Sequence, residues 1–82
     1  MPTVLRKDKY RFFFFSNERN EPAHIHIESG SNYAKFWLEP VQLARSVGFA
    51  DYELYRIERL VIRNKNFLRQ KWHEYFNANK NK

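Results

Sequence analysis

An α+β domain is expected from this chain: a three- or four-stranded antiparallel sheet packed against one long or two short C-terminal helices. Three observations carry that expectation. In the first half, a run of four Phe and two segments whose apolar residues recur at every second position read as strands. In the second half they follow a helical stripe. A sheet with one apolar face needs a cover, and the stripe supplies it.

The chain has 82 residues and no cysteine, which bounds it to one small domain without disulfides. A folded chain of this size buries only about 60–65% of the surface its unfolded form exposes. Eight Phe, five Tyr and two Trp lift the aromatic fraction to 18%, so the core is built from few, large side chains. Residues 1–76 are expected to form the domain, and 77–82 a polar basic tail.

Val4 to Lys7 is a short strand candidate, followed by a tight turn at Asp8-Lys9. Tyr10 to Ser16 holds four consecutive Phe residues, the strongest strand signal in the chain. Phe12 and Phe14 take one face and Phe13 and Phe15 the other, so this strand is expected to be central. Asn17 to Pro22 is polar, ends in proline and reads as a loop. Ala23 to Glu28 alternates cleanly: Ala23, Ile25 and Ile27 on one side, His24, His26 and Glu28 on the other. Ser29 to Asn32 is a turn, and Tyr33 to Leu38 returns as a strand, making an antiparallel hairpin. Ala34, Phe36 and Leu38 then share the core face, and Tyr33, Lys35 and Trp37 stand beside the histidines.

Glu39-Pro40 ends that strand. Val41 to Gly48 reads equally as a short strand or a loose turn. A helix is expected from about Asp51, with Asp51 and Glu53 at its electropositive start. Leu54, Ile57, Val61, Leu68, Trp72, Tyr75 and Phe76 form its apolar stripe. Asn64-Lys65-Asn66 is weak helix material, so one long helix and two shorter ones are both open.

Composition excludes several function classes. Without cysteine there is no thiol catalysis and no Cys-based zinc site. The longest purely apolar run is Phe12 to Phe15, against about 20 residues for a membrane span. A cytoplasmic protein with no membrane partner is expected. Glycine-rich phosphate loops, nucleophile elbows and HExxH are absent, and no cofactor is expected. The net charge of +6 and pI near 9.8 favour a polyanion or an acidic protein as partner.

His24-Ile25-His26 is the triplet with the most chemistry. Residues i and i+2 of a strand point the same way, roughly 6–7 Å apart. Two histidines at that spacing suit a polar strand surface, an acid–base pair at a phosphate, or two metal ligands with Glu28 as a third. No metal site is assigned on this pattern. If the protein is an enzyme, His24 and His26 are its candidate acid and base, with Lys35 steadying phosphate charge. Interleaved Tyr33, Lys35 and Trp37 suit stacked bases and phosphates and equally a partner protein. Arg11 joins them if the register puts it with Phe13 and Phe15. The other reading of this face is a second, smaller apolar cluster of Phe13, Phe15 and Trp37. His73 reads as a surface histidine, Trp72, Tyr75 and Phe76 as a core lid, and the helical basic residues as a solvated face.

The chain resembles the small bacterial family known as domain of unknown function 4160. The stretches that carry this are Met1 to Arg6, Tyr10 to Phe14, Ser16 to Glu18, Glu21 to Ile27, Ala34 to Leu38, Pro40-Val41, Leu43-Ala44, Gly48-Phe49, Glu53-Leu54, and Trp72 with Glu74 to Phe76. The resemblance implies a partner encoded by an adjacent gene, in a unit like a toxin–antitoxin pair. It also implies that His24, His26, Lys35 and Trp37 are the positions to watch. Two residues depart from the pattern: Ala23 replaces a second proline, and Ala50 replaces a helix-capping residue, worth about 1 kcal/mol.

The expected function is therefore a small basic binding module of a toxin–antitoxin-like pair. It would bind RNA or a cognate small protein through Arg11, Tyr33, Lys35 and Trp37. The alternatives are a metal-independent ribonuclease toxin using the His-x-His pair and an HxH metal-binding protein.

Overall fold

The computed structural model describes residues 3–15 and 20–80, with backbone only for 77–80. Five strands follow one another as an antiparallel meander: β1 Thr3–Lys7, β2 Tyr10–Phe13, β3 His24–Ser29, β4 Asn32–Leu38 and β5 Val41–Val47. Two helices follow among the described residues, α1 Asp51–Arg63 and α2 Lys65–Lys80. No helix among the described residues is long and apolar enough to cross a membrane.

The sheet has five strands rather than three or four, because Val41–Val47 forms a full edge strand. Its periodicity is hidden for two physical reasons. An edge strand is exposed along most of its length, so burial imposes little pattern on it. The ladder also slips between Lys35↔Arg45 and Phe36↔Leu43, leaving Ala44 as a bulge that breaks the alternation. The other edge, β1, carries a similar slip at Val4.

β2 is shorter than the Phe run suggests. Phe14 and Phe15 leave the ladder, and Ser16 lies outside the described residues. The turns use the residues that permit them. Asp8 adopts φ +56° between β1 and β2, and Gly30 adopts φ +61° between β3 and β4. Gly48 sits at φ +90° with the Asn32 side chain occupying the space a Cβ would need, so glycine is required on both counts. β4 and β5 are joined through Glu39-Pro40, whose peptide is cis.

The inner face of the sheet carries Tyr10, Phe12, Ile25, Ile27, Ala34, Phe36 and Leu38. With Phe14 and Phe49 they form one buried cluster with Ile57, Leu60 and Val61 of α1 and Leu68, Trp72 and Phe76 of α2. Trp72 meets Phe14 edge-on at 5.3 Å between ring centroids and Phe76 at 4.1 Å, so Trp72 and Phe76 close this core as expected of a lid.

The helical half is two helices, not one, and Asn64 divides them. Its backbone N–H and side-chain amide both donate to the Leu60 carbonyl, at 3.0 and 2.8 Å, ending α1. Its own carbonyl accepts from the Leu68 N–H at 2.9 Å, starting α2. The side chain competes for helix carbonyls, as Asn does at helix ends. At the start of α1, Ala50 provides no side-chain cap. Glu53, three residues on, turns away from the capping position. It is buried and accepts from Lys9 Nζ at 2.8 Å and Tyr10 Oη at 3.2 Å. The Lys9 hydrogen bond holds the Glu53 carboxyl below its usual range, against the opposing effect of burial. This pair pins the β1–β2 turn to α1.

Candidate functional site

Register alone assembles the outer face. Arg11 pairs with Glu28 and Phe13 with His26 across β2–β3. His24 pairs with Trp37, His26 with Lys35 and Glu28 with Tyr33 across β3–β4. Alternation then puts Arg11, Phe13, His24, His26, Glu28, Tyr33, Lys35 and Trp37 on the side opposite the main core. All six candidate residues share one surface: Arg11, His24, His26, Tyr33, Lys35 and Trp37.

The two histidines lie at the buried centre of this surface, 0% and 2% exposed. Their rings meet edge-on at 5.0 Å between centroids. Around His26 stand Phe13 at 5.4 Å, Phe15 at 4.6 Å and Tyr33 at 5.7 Å. Around His24 stand Trp37 at 5.5 Å and Trp72 at 4.7 Å. Trp72 thus touches both layers: Phe14 on the core side and His24 on the outer side. The face is an aromatic cluster with histidines inside it, combining the apolar cluster of Phe13, Phe15 and Trp37 with the polar strand row.

Hydrogen bonds orient the imidazoles. His24 Nδ1 lies 2.8 Å from the Pro22 carbonyl oxygen. A carbonyl only accepts, so His24 Nδ1 carries the proton there. His26 Nδ1 shares a 2.7 Å hydrogen bond with the Tyr33 hydroxyl. The carboxylate of Glu21 stands 3.7 Å from His24 Nδ1.

The rim is half-buried and mixed in charge. Lys35 Nζ sits 4.6 Å from the centre of the Trp37 ring and bonds to Glu21 Oε1 at 2.9 Å. Arg11 lies 4.4 Å over the Phe13 ring, bonds to Glu28 Oε2 at 2.8 Å and donates to Thr3 Oγ1 at 2.8 Å. Each rim cation therefore has an aromatic face beneath it and a carboxylate beside it. The Lys35 hydrogen bond holds the Glu21 carboxyl below its usual range. Arg45 stands opposite Lys35 on β5 and is exposed.

This arrangement can bind through its rim. Acid–base chemistry at His24 and His26 requires the aromatic cover to move, because a phosphate cannot reach rings buried this deeply. Among the described residues no group of three or more His, Asp or Glu is placed to hold a metal ion. Glu28, the third position of the possible ligand row, bonds to Arg11 instead. His73 is a surface residue, 3.8 Å from Glu39, which also accepts from Arg69 at 2.6 Å.

Two contributors were not apparent from sequence. Trp72 reaches the face only because α2 crosses the end of β3. Glu21 precedes a proline in a polar loop, where nothing distinguishes it from its neighbours.

No curated protein matches the chain, and no solved structure matches it. The family model described as Domain of unknown function (DUF4160) matches residues 10–73. That stretch runs from the start of β2 into α2 and holds every residue of the aromatic–histidine face named above except Thr3. By this match the chain belongs to the DUF4160 family.

Proposed function

We propose that this protein is the small basic binding module of a toxin–antitoxin-like pair, and that it takes its cognate protein on the outer sheet face. Arg11, Tyr33, Lys35 and Trp37 form the contact. The supporting observation is the state of the rim cations: Lys35 and Arg11 are each stacked on an aromatic ring and already matched to a carboxylate.

Aromatic and cationic groups interleaved with carboxylates are the anatomy of a protein interface. A single-strand nucleic-acid platform needs unmatched cations along the backbone path. Here Glu21 and Glu28 cancel Lys35 and Arg11, which favours protein over RNA. The depth of His24 and His26 favours binding over ribonuclease chemistry in the same way. Their rings hold the rim residues in place.

Co-expression with the adjacent gene's product, followed by pull-down, tests this reading. A stable complex is expected with the native chain, and its loss with Lys35→Ala and Trp37→Ala combined. A complex that survives both changes overturns the assignment of this face. The purified chain is also incubated with total RNA. Cleavage that disappears in His24→Ala or His26→Ala would replace the binding reading with the ribonuclease one, and RNA retention weakened by Lys35→Ala would make RNA the partner.

A further inference from the structure

A second surface lies on the helical side of the sheet, away from the aromatic–histidine face. Between α1 and the edge strand β5 is a pocket of about 300 Å³ lined by Phe36, Leu43, Asp51, Leu54, Tyr55 and Glu58. Phe36 and Leu43 are cross-strand partners and contribute its sheet wall. The other four recur at i, i+3, i+4 and i+7, so a single stripe of α1 makes the opposite wall. At 1.5 Å rise per residue, the carboxylates of Asp51 and Glu58 sit about 10 Å apart along the helix, with Leu54 and Tyr55 between them. Leu43 is 41% exposed and Tyr55 69%, so apolar surface opens to solvent here.

Charge indicates what the groove accepts. Glu21, Glu28, Glu39, Glu53 and Glu74 are ion-paired, while Asp8, in the β1–β2 turn, forms no ion pair among the described residues. Asp51 and Glu58 form no ion pair or side-chain hydrogen bond among the described residues, and no Lys or Arg lines the pocket. In a chain of net charge +6, two unmatched carboxylates flank one apolar slot. Asp51 lies in the first turn, where the helix dipole favours it. Glu58, in the middle of α1, has no such compensation.

We infer that this groove docks an amphipathic basic helix of a partner protein. Its apolar side chains would enter the slot, and two Lys or Arg residues about seven positions apart would meet Asp51 and Glu58. A helix is the occupant because the receptor stripe itself has helical spacing, and helix stripes mesh with one another. Strand addition along β5 is disfavoured, since the Ala44 bulge interrupts its outer edge and Arg45 is exposed beside it. A second copy of the chain brings a net charge of like sign. The inference does not rest on the outer-face reading, because none of its residues lies on that face.

The test is selection from a displayed library of helical peptides, about 15 residues long. Two adjacent leucines are fixed, and the positions flanking them at the ends of a seven-residue interval are randomised. Enrichment of Lys or Arg at both flanking positions is expected. A selected peptide, followed by fluorescence anisotropy, should bind D51N/E58Q roughly tenfold or more weakly and lose affinity as salt rises. Circular dichroism confirms that the variant is folded. If D51N/E58Q is not folded, Glu58→Gln alone, away from the helix start, repeats the measurement. No enrichment, acidic flanks, or equal binding to native and variant chains would overturn the inference. So would a concentration-dependent dimer in sedimentation that the same substitutions dissolve, because the groove would then belong to a second copy.

Discussion

On the inner face of the sheet, Phe12, Ile25, Ile27, Phe36 and Leu38 pack into one cluster with side chains from both helices. One position along each strand, on the outer face, Phe13, His26, His24 and Trp37 pack against each other, and Trp72 reaches across to His24 from α2. Both centres are buried, but by different means. The inner face excludes water with apolar volume, which is non-directional and tolerant of exact position. The outer face buries polar rings, so the hydrogen bonds of His24 to Pro22 and His26 to Tyr33 must form along with the stacking. The first arrangement supplies stability. The second sets the positions of particular rings and cations, as the recognition role proposed for this face would require.

The largest contrast is expected from adjacent residues of β4. Phe36→Ala should cost about 3–5 kcal/mol in urea unfolding, the usual loss for a buried aromatic. Trp37→Ala, half-buried on the other face, should cost clearly less. Equal losses would mean that the outer cluster is a second core of the same weight.

The next effect concerns the hydrogen-bonded centre. His26→Phe keeps a ring in place and removes the bond to Tyr33, so about 1–2 kcal/mol should be lost. Combined with Tyr33→Phe in a double-mutant cycle, the two changes should couple by about 1 kcal/mol. Additive losses would show that the bond does not hold this face together.

A smaller effect is confined to acid and touches both sides of the sheet. The Lys9 bond lowers the Glu53 carboxyl and the Lys35 bond lowers the Glu21 carboxyl, each from an ordinary value of 4.5. A lowered folded value means that the charged form stabilises the fold. That contribution is complete above about pH 4.5 and disappears as pH falls through the lower folded value. Glu53→Gln and Glu21→Gln should each flatten the decline of stability below that pH in acid titrations followed by circular dichroism. A slope unchanged in both variants would remove these pairs from the acid response.

Least affected should be stability in Lys35→Ala, with a change within about 1 kcal/mol, because a partly solvated ion pair and one cation–π contact contribute little. On the function proposed for this face, the same variant should weaken capture of the cognate protein. A large stability loss without a binding loss would reverse the roles given to the two faces.

Much of this contrast could be read from residues 23–38. Ala23 to Glu28 and Tyr33 to Leu38 alternate so regularly that both faces, and the residues on each, follow from the pleat. The incomplete cap at Ala50 was also legible, by comparison with the family pattern that the sequence resembles, which has a capping residue there. β5 was ambiguous because an exposed, bulged edge strand carries no clean period. The break at Asn64 was visible only as weak helix material, since the bonds that Asn64 makes to Leu60 and Leu68 form only in the folded helices.

The burial of the histidines shows where local pattern stops. Alternation along β3 places His24 and His26 together opposite the core, and chain chemistry makes them polar and titratable. Alternation says nothing about what stands above them. That depends on how α2 crosses the end of the sheet, which brings Trp72 to His24, and on how Phe15 leaves its strand to lie over His26. The same division holds for Glu53: its place in the first turn of α1 is local, and its capture by Lys9 and Tyr10 is not. The amino-acid order settled which residues share a face, because strand period and turn chemistry are short-range. The three-dimensional packing settled which of them are buried, paired or open to a partner, because those properties arise from groups distant in the chain.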